Sequence, residues 1–249
     1  MRSILGALVA MAAMVAADAH AQSSKAAWRF EELIDLASAA SSSGTPTDPA
    51  DTGWQSILTT HIKTPNAKEL AIGVSLQCGI VTDTTVRSKS GDLDAAAAQS
   101  RIKVRVKITQ PDGTVVFAEP DNGADLEAVL LAKDSGLTYC DRFQKLAARF
   151  SGLNCTAALG GAVTCTDPEE LQLILKTLDA HSFEFLFANA VPGVQTVEVQ
   201  ARAQSAVALS GTSLGAAGTA AFAGAGALSV ETIRLVKDAD GTTDLGNLN

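Results

Sequence analysis

The sequence predicts an all-β protein, an antiparallel two-sheet β-sandwich of the jelly-roll kind. From Trp54 onward, apolar and polar residues alternate over most of the chain. A period of two is typical of strands with one buried and one polar face, and such strands pair antiparallel. Turn sequences such as Pro111-Asp112-Gly113 and Pro192-Gly193 separate these runs. A closed barrel is the alternative architecture.

The clearest strand is residues 101–108, where Arg and Lys alternate with Ile and Val. Residues 115–118 follow a Pro-Asp-Gly turn and are expected to form its hairpin partner. Residues 92–100, which are polar and rich in Ala, are expected to form a loop. The spacing of apolar residues slips between Val230 and Ile233, which predicts a β-bulge there. Other strands are expected at 54–61, 70–78, 137–150, 183–187, 197–203, 219–222 and 228–235.

One short helix is expected to interrupt the strands. Residues 166–170 supply a capping residue, a proline in the first turn and two acids near the positive end of the helix dipole. The apolar residues that follow have helical spacing: Leu171, Ile174, Leu175 and Leu178. The sandwich is therefore expected to contain one inserted helix.

The N-terminal stretch has the layout of a secretory signal peptide. Arg2 precedes an apolar run of 14 residues from Ile4 to Ala17, and Ala19-His20-Ala21 resembles a cleavage site. We expect a signal peptide at 1–21, an N-terminal segment and linker at 22–52, with partly helical spacing at 28–36, a sandwich domain at 53–237 and a flexible acidic tail at 238–249. The mature protein is expected to be secreted, periplasmic or at the cell surface.

The composition excludes some functions. The net charge is −8, whereas a general nucleic-acid binder needs a basic footprint. No later stretch without charges approaches the roughly 20 apolar residues that span a bilayer, so no integral membrane segment is expected after processing. Aromatic residues make up 4% of the chain, which argues modestly against a sugar site built on aromatic platforms.

Four cysteines remain after the signal peptide: Cys78, Cys140, Cys155 and Cys165. An even count in an exported chain favours two disulfides over metal or redox chemistry. Three pairings are open. The short Gly-containing loop between Cys155 and Cys165 favours a local bridge, which would leave Cys78 and Cys140 to join two distant strands.

The C-terminal third resembles known jelly rolls. Phe183-x-Phe185 is followed by Pro192-Gly193-Val194-Gln195-Thr196-Val197-Glu198-Val199-Gln200-Ala201-Arg202, then by Gly218-Thr219-Ala220 and Leu228-Ser229-Val230-Glu231. This pattern is similar to the closing strands of TNF/C1q-like jelly rolls and of secreted or phage-tail sandwich domains. The region from Trp54 to Lys237 as a whole resembles a group of uncharacterised exported microbial β-sandwich proteins. The resemblance implies a chain capable of forming a homo-oligomer, such as the trimer of TNF/C1q-like assemblies. It assigns no functional residue.

A row of cations is the first candidate binding site. Arg101, Lys103, Arg105 and Lys107 share one strand face, about 7 Å apart. On an outer sheet face they would bind an anionic glycan or an acidic surface protein. The alternative is a solvated face whose charges pair with acids on neighbouring strands, such as Glu198.

An acidic stretch near the C-terminus is the candidate metal site. Asp238, Asp240 and Asp244 surround Gly241, and alternating carboxylates before a glycine can wrap Ca²⁺. The motif lacks ligands that a complete EF-type loop has, so an acidic turn without metal is the alternative. No other cofactor is expected.

No catalytic residue is predicted. Beyond the signal peptide, the only histidines are His61 and His181, and general acid–base chemistry would need one of them beside other functional groups.

The sequence therefore favours an exported, non-enzymatic structural or binding module that self-associates. The alternatives are a polysaccharide lyase or glycosidase, and a Ca²⁺-dependent carbohydrate-binding module. A cleft lined by His61 or His181 together with a basic residue and a carboxylate would overturn the non-enzymatic interpretation in favour of the enzyme.

Overall fold

The structure is a computed structural model. It describes residues 25–43, 48–65, 68–87, 93–121, 130–131, 135–149, 155–157, 163–165, 170–211 and 215–234. The signal peptide predicted at 1–21 and the acidic tail predicted at 238–249 lie outside these residues. The described part contains no helix, and hence none that could span a membrane.

Thirteen strands are described, and nearly all of them belong to two antiparallel sheets. In chain order they are β1 (Ala26–Glu31), β2 (Ala37–Ser43), β3 (Ala50–Asp51), β4 (Gln55–Thr64), β5 (Lys68–Arg87), β6 (Asp94–Thr109), β7 (Val115–Phe117), β8 (Leu137–Ala148), β9 (Cys155–Ala157), β10 (Val163–Cys165), β11 (Glu170–Ala190), β12 (Gly193–Ser210) and β13 (Ala216–Ile233).

The first sheet has the order β1-β13-β5-β11, and β2 also pairs with β13. The second has the order β3-β12-β6-β7, with β4 on β12 and β8 on β6. β9 and β10 form a separate small hairpin. The predicted all-β two-sheet sandwich is therefore confirmed, and the sheets are not closed into a barrel.

The alternating sequence accounts for the core between the sheets. In β6, the side chains of Ile102, Val104, Val106 and Ile108 are fully buried, and they alternate with the cationic positions. They pack in one cluster with side chains from the other sheet, such as Leu70 and Ile72 of β5. At the other end of the sandwich the core is thin, because it is built largely from alanines such as Ala96, Ala98 and Ala217.

A disulfide between Cys78 of β5 and Cys140 of β8 links the two sheets. The two cysteines are 62 residues apart in the chain. The predicted pairing of these two residues is confirmed. The bridge holds β8, an outer strand of its sheet, against the middle of β5.

The predicted helix is wrong where the structure describes the chain. Residues from Glu170 onward form the first half of β11, which pairs residue by residue with β5 from Glu170↔Arg87 to Phe187↔Leu70. The long neighbouring strand supplies backbone partners along this whole stretch, and such tertiary pairing overrides local helical periodicity. Helical spacing then divides the apolar residues between both faces of the strand.

Three other expectations are corrected. The segment predicted to be a linker contributes β1, β2 and β3 to the sheets, so the partly helical pattern at 28–36 is also wrong. Within the loop predicted at 92–100, residues 94–100 belong to β6, which begins at Asp94. The bulge in β13 lies between Ala223 and Gly226, not between Val230 and Ile233. In each case the pairing with a neighbouring strand, not local composition, decides the conformation.

Candidate functional site

The first half of β11 exposes large apolar side chains. β11 ends its sheet, with β5 as its ladder partner on one side. Five Leu and Ile side chains are between 37% and 60% exposed: Leu171, Leu173, Ile174, Leu175 and Leu178. Full burial of one such side chain is worth about 1.5–3 kcal/mol. A long apolar edge strand is also a template for pairing with another chain.

The backbone polar groups along this edge have a known direction. Leu186 and Glu119 exchange two backbone hydrogen bonds, with N···O distances of 2.7 and 2.9 Å. Leu186 therefore directs its N–H and C=O away from β5. Backbone groups alternate sides along an antiparallel strand, and the β11–β5 register is regular from Glu170 to Phe187. The even-numbered residues of β11 thus present their N–H and C=O groups to the open edge.

Charged side chains lie in the middle of β11. Lys176 and Glu184 are exposed on one face and form no ion pair with any described residue. Asp179 and His181 lie on the opposite face, with 3.6 Å between His181 Nε2 and Asp179 Oδ2. The backbone N–H of Ala180 donates to Asp179 Oδ1 at 2.9 Å.

The cationic row of β6 does not form the exposed surface that the sequence predicts. Its four residues share one face, but Arg101 and Lys103 are fully buried. Lys107 Nζ lies 2.7 Å from Glu198 Oε2, so it pairs with the acid on the adjacent strand. Only Arg105 and Lys107 are partly accessible to an anionic ligand.

Neighbouring polar residues hold the buried end of this row. Arg101 Nε donates to Gln204 Oε1 at 2.8 Å, and Gln204 Nε2 donates to Asp51 Oδ2 at 3.1 Å. Asp51 also accepts hydrogen bonds from Arg202, including one of 2.8 Å from Nε to Oδ1. The hydrogen bond from Arg202 is the main reason that the pKa of Asp51 falls to about 2. The same bond raises the pKa of Arg202.

Two aromatic rings pack against Arg105, one of the two partly accessible cations of the row. The Arg105 guanidinium lies 4.3 Å from the Trp54 ring centre and 4.5 Å from that of Phe117, which are cation–π distances. Its Nε donates to Gln200 Oε1 at 2.8 Å. Burial lowers the pKa of Arg105 and raises that of nearby Asp121. Asp121 Oδ1 is buried and accepts no hydrogen bond from the described residues.

A cleft beside the disulfide contains His181. Its volume is about 240 Å³, and its lining includes Arg142 of β8 with Thr177, Asp179 and His181 of β11. Arg142 donates a hydrogen bond to Thr177 Oγ1. The cleft thus combines a histidine, a carboxylate and a cation, the combination expected of the enzyme. All three are already engaged within the fold, because Arg142 donates to Thr177, Asp179 accepts from the Ala180 N–H, and His181 lies 3.6 Å from Asp179.

Tyr139 also lines this cleft, but its hydroxyl and its ring both make contacts that stabilise the fold. Its hydroxyl donates to the Val74 carbonyl at 2.9 Å, and its ring packs on Phe183 with 5.0 Å between centres. Burial raises the pKa of the phenol well above its usual range, and the charge of Glu184 adds to the effect. Tyr139 is therefore a poor general base.

The other predicted site residues stay apart. His61, on β4, forms a hydrogen bond through Nδ1 to Thr196 Oγ1 at 3.1 Å, and it does not line the His181 cleft. No three His, Cys, Asp or Glu side chains of the described residues are placed to hold a metal. The Ca²⁺ candidates Asp238, Asp240 and Asp244 lie outside the described residues, so that site stays a prediction.

The second predicted cysteine pair lies in the β9–β10 hairpin. The backbones of Cys155 and Cys165 are directly opposite each other in its register. Residues in this position are close enough for a disulfide. The Cys155–Cys165 bridge remains a prediction, since only the backbone of this hairpin is described.

Sequence analysis missed the edge of β11 as a site. The helical spacing of Leu171, Ile174, Leu175 and Leu178 predicts a short helix, so it gives no sign of an exposed strand edge. One signal pointed to a strand: residues 170–187 continue without a turn sequence into the alternating Phe residues at 183–187.

Comparison with known proteins assigns no family. No protein-family model matches the chain, and no curated protein matches it. Among solved structures it is similar to a CocE/NonD family hydrolase from Staphylococcus aureus, with 13% identity over 81% of this chain and 34% of that one, at a TM-score of 0.20. A second similarity is to infectious bursal disease virus, Gx strain, with 9% identity over 84% of this chain and 40% of that one, at a TM-score of 0.18.

A third similarity is to a mutant VP2 protein of the same virus, with 13% identity over 89% of this chain and 43% of that one, at a TM-score of 0.17. The chain thus spans about a third of the hydrolase and about two fifths of the viral proteins. At these TM-scores the similarities carry no argument about function, and the chain is assigned to no family.

Proposed function

We propose that this chain is an exported, non-enzymatic structural or binding module that associates with itself outside the cytoplasm. The exposed apolar edge of β11 is the observation that carries the proposal. An edge strand of this kind is a liability in a monomer, and natural proteins usually blunt such an edge with charges, prolines or a cover. Between Leu171 and Leu175 it instead carries four large apolar side chains and one glutamine.

The disulfide between Cys78 and Cys140 supports the exported location. Structural disulfides persist in oxidising compartments and are rare in the cytosol. The predicted signal peptide at 1–21 points to the same compartment. An exported location accounts for the disulfide, and self-association accounts for the exposed apolar edge of β11.

Light scattering coupled to size exclusion tests the proposal. The mature protein from Gln22 onward should elute as a dimer or larger assembly at micromolar concentration. A variant with Leu173→Lys and Leu175→Lys should shift toward the monomer, because two charges on an edge strand oppose pairing. The matched control, Leu93→Lys, alters an exposed leucine away from β11 and should not shift the assembly. A wild type that is monomeric at 100 µM would contradict the proposal.

A glycan array tests the binding part of the proposal. The accessible cations Arg105 and Lys107 favour an anionic glycan over a neutral one. The array should be probed with wild type and with Lys107→Gln, which removes one of the two charges. Retention of acidic glycans by the wild type, and weaker retention by the variant, would define the module as a binder; no retention would leave a purely structural role.

The His181 cleft favours one second candidate, a polysaccharide lyase or glycosidase. His181 would act as general base, and Arg142 would neutralise an acidic sugar. Incubation with uronate polysaccharides, followed at the absorbance of an unsaturated product, tests the lyase, and reducing-sugar release tests the glycosidase. Activity lost in His181→Ala but retained in His61→Ala would support this candidate. Absence of activity on a broad panel would exclude it.

A further inference from the structure

We propose that the outer face of the first sheet binds an uncharged glycan chain on three exposed aromatic rings, those of Trp28, Phe30 and Phe222. The outer face is the side of the β1-β13-β5-β11 sheet that points away from the second sheet. The site lies apart from the apolar half of β11 and from the cations of β6. The inference therefore goes beyond self-association and does not depend on it.

The strand register places two of these rings on the outer face. Trp28 lies opposite Ser229 of β13, and Phe30 lies opposite Ala227. Leu228, between those two β13 residues, is buried in the core. Side chains alternate between the two faces of a strand, and opposite residues share a face. Trp28 and Phe30 therefore point away from the core.

The fold gathers three rings here although aromatic residues make up only 4% of the chain. Phe222 reaches the same face, because its neighbours Ala221 and Ala223 on β13 are buried. Trp28 is 76% exposed, Phe30 48% and Phe222 39%. Along β13, the position opposite Trp28 is about 20 Å from Phe222. An exposed apolar patch with polar neighbours marks an interaction site, and a row of this length suits a chain of sugars rather than a single ring.

Small residues form the floor beside the rings. Ala227 lies opposite Ser75 of β5, so short side chains continue across the sheet from Phe30. A cavity of about 290 Å³ lies over this floor, and its lining includes Phe30, Ser75 and Ala227 together with Gln77 and Ala180. A ligand that packs on the rings can therefore approach the strands closely and meet hydroxyl and amide groups there.

Two polar side chains converge over Gly73, beside Trp28. The register places Trp28, Ser229, Gly73 and Glu184 in one row across four strands. A Cβ added at Gly73 would lie 2.6 Å from Ser229 Oγ and 2.9 Å from Glu184 Oε1, so both groups point at the space that a side chain would fill. A glycine inside a strand often marks a place where a ligand approaches the backbone. Glu184 forms no ion pair with any described residue.

The charges on this face select an uncharged ligand. Among the described residues paired across the sheet from Ala26 to Phe30, the charged ones on the outer face are Glu184 and Glu231. Both are acidic, and like charges oppose the approach of an anionic ligand. A quaternary ammonium ion is bound by rings that surround it, whereas these rings lie in a row along a sheet.

A sugar chain matches both kinds of group on this face. The C–H faces of sugar rings are apolar and pack on aromatic rings, while their hydroxyls donate to carboxylate and serine oxygens. A hydrogen bond to an ionised carboxylate is stronger than one between neutral groups, so Glu184 is the main polar anchor. Trp28 and Phe30 are two residues apart on one strand, about 7 Å, so each can pack on a different sugar of the chain.

Affinity electrophoresis of the mature protein tests the aromatic row. Native gels would contain hydroxyethylcellulose, xylan, mannan or laminarin as uncharged polysaccharides, with alginate as the anionic comparison. At least one uncharged polysaccharide should retard the wild type. Trp28→Ala should raise its dissociation constant about tenfold or more, as expected for a central aromatic contact, and Trp28→Tyr should retain most of the affinity. Leu93→Ala, which shortens an exposed apolar side chain outside this sheet, is the matched control and should bind like the wild type.

Gly73→Ala tests the polar part of the site. The added methyl group would meet only the ends of two flexible side chains, Ser229 and Glu184, so the variant should fold while the space for a sugar hydroxyl is filled. Gly218→Ala is the matched control, because it lies on the same sheet with nothing within 4 Å of its added Cβ. Circular dichroism would confirm that both variants are folded. Weaker binding by Gly73→Ala alone is the expected result, and equal binding by both variants would refute the role of this space.

The outcomes separate this inference from the proposed function. If none of the four uncharged polysaccharides retards the wild type, the glycan site is overturned and self-association stands. If Trp28→Ala reduces assembly in light scattering but leaves glycan binding unchanged, the face is a contact between copies and the inference is overturned. If Trp28→Ala also loses alginate binding, the ligand class is wrong. A monomeric wild type that an uncharged polysaccharide retards would support the site while self-association fails.

Discussion

Removal of the disulfide between the sheets should cost about 4 kcal/mol of stability. The perturbation is the double variant Cys78→Ala and Cys140→Ala. The bridge closes a loop between residues 62 apart in the chain, and the chain-entropy relation for that length corresponds to about 4 kcal/mol at 25 °C. Cys78 is 2% exposed, so replacement of its sulfur by hydrogen should add up to about 1 kcal/mol through lost packing.

Equilibrium unfolding in urea would measure this difference. Small domains have a total stability of about 5–15 kcal/mol, so the variant should remain folded with a much lower midpoint. The double variant Cys155→Ala and Cys165→Ala is the comparison. Its shorter loop corresponds to about 3 kcal/mol in the same relation, if the predicted bridge forms. A loss below about 1 kcal/mol for the first variant would refute the assignment of a stabilising cross-link between the sheets.

Three further predictions concern single residues. Gly215→Ala should destabilise the fold by about 1–3 kcal/mol, because the added Cβ would lie 2.8 Å from the backbone carbonyl oxygen of Thr85, which cannot move aside. Gly218→Ala, where nothing lies within 4 Å, should be neutral or stabilising in the same thermal melt. Asp51→Asn should lower the free energy of unfolding by about 1 kcal/mol at pH 7. The folded pKa of Asp51 is about 2, below the ordinary 3.8, so this loss of stability should vanish as the pH falls from about 4 to 2. Equal losses of stability at pH 7 and pH 2 would contradict this. Asp121→Asn should stabilise the protein at pH 7, since burial raises the pKa of this carboxyl; the gain should shrink in acid as both states protonate, and a destabilised variant in urea titrations would disprove it.

The buried cations show how a surface prediction fails for a physical reason. Alternation along residues 101–108 correctly indicates that Arg101 and Lys103 lie on the face opposite Ile102. It does not indicate whether that face meets solvent. In the structure both cations are buried, and Arg101 donates a hydrogen bond to Gln204 on the adjacent strand. A cation is tolerated in such a place only when it is paired or hydrogen-bonded, and those partners come from distant parts of the chain.

Local patterns alone determined the class of this fold. A period of two in the side chains is a property of each strand, so it could be interpreted without knowing the neighbours, and the alternation along β6 and β12 was correctly identified. The disulfide between Cys78 and Cys140 followed from the even count of cysteines and from the short loop that favoured pairing the other two. These features depend on residues close in sequence or on simple counting.

Only the tertiary structure decided where strands begin, which ones lie at the edges and which charges meet. Residues 170–178 have helical spacing, yet they form a strand because β5 lies beside them with free backbone groups. The same pairing leaves Leu171–Leu178 partly exposed at an edge and directs alternate backbone groups outward. Edge position is a property of the whole sheet order, so no local pattern could predict the surface on which we propose that two copies join.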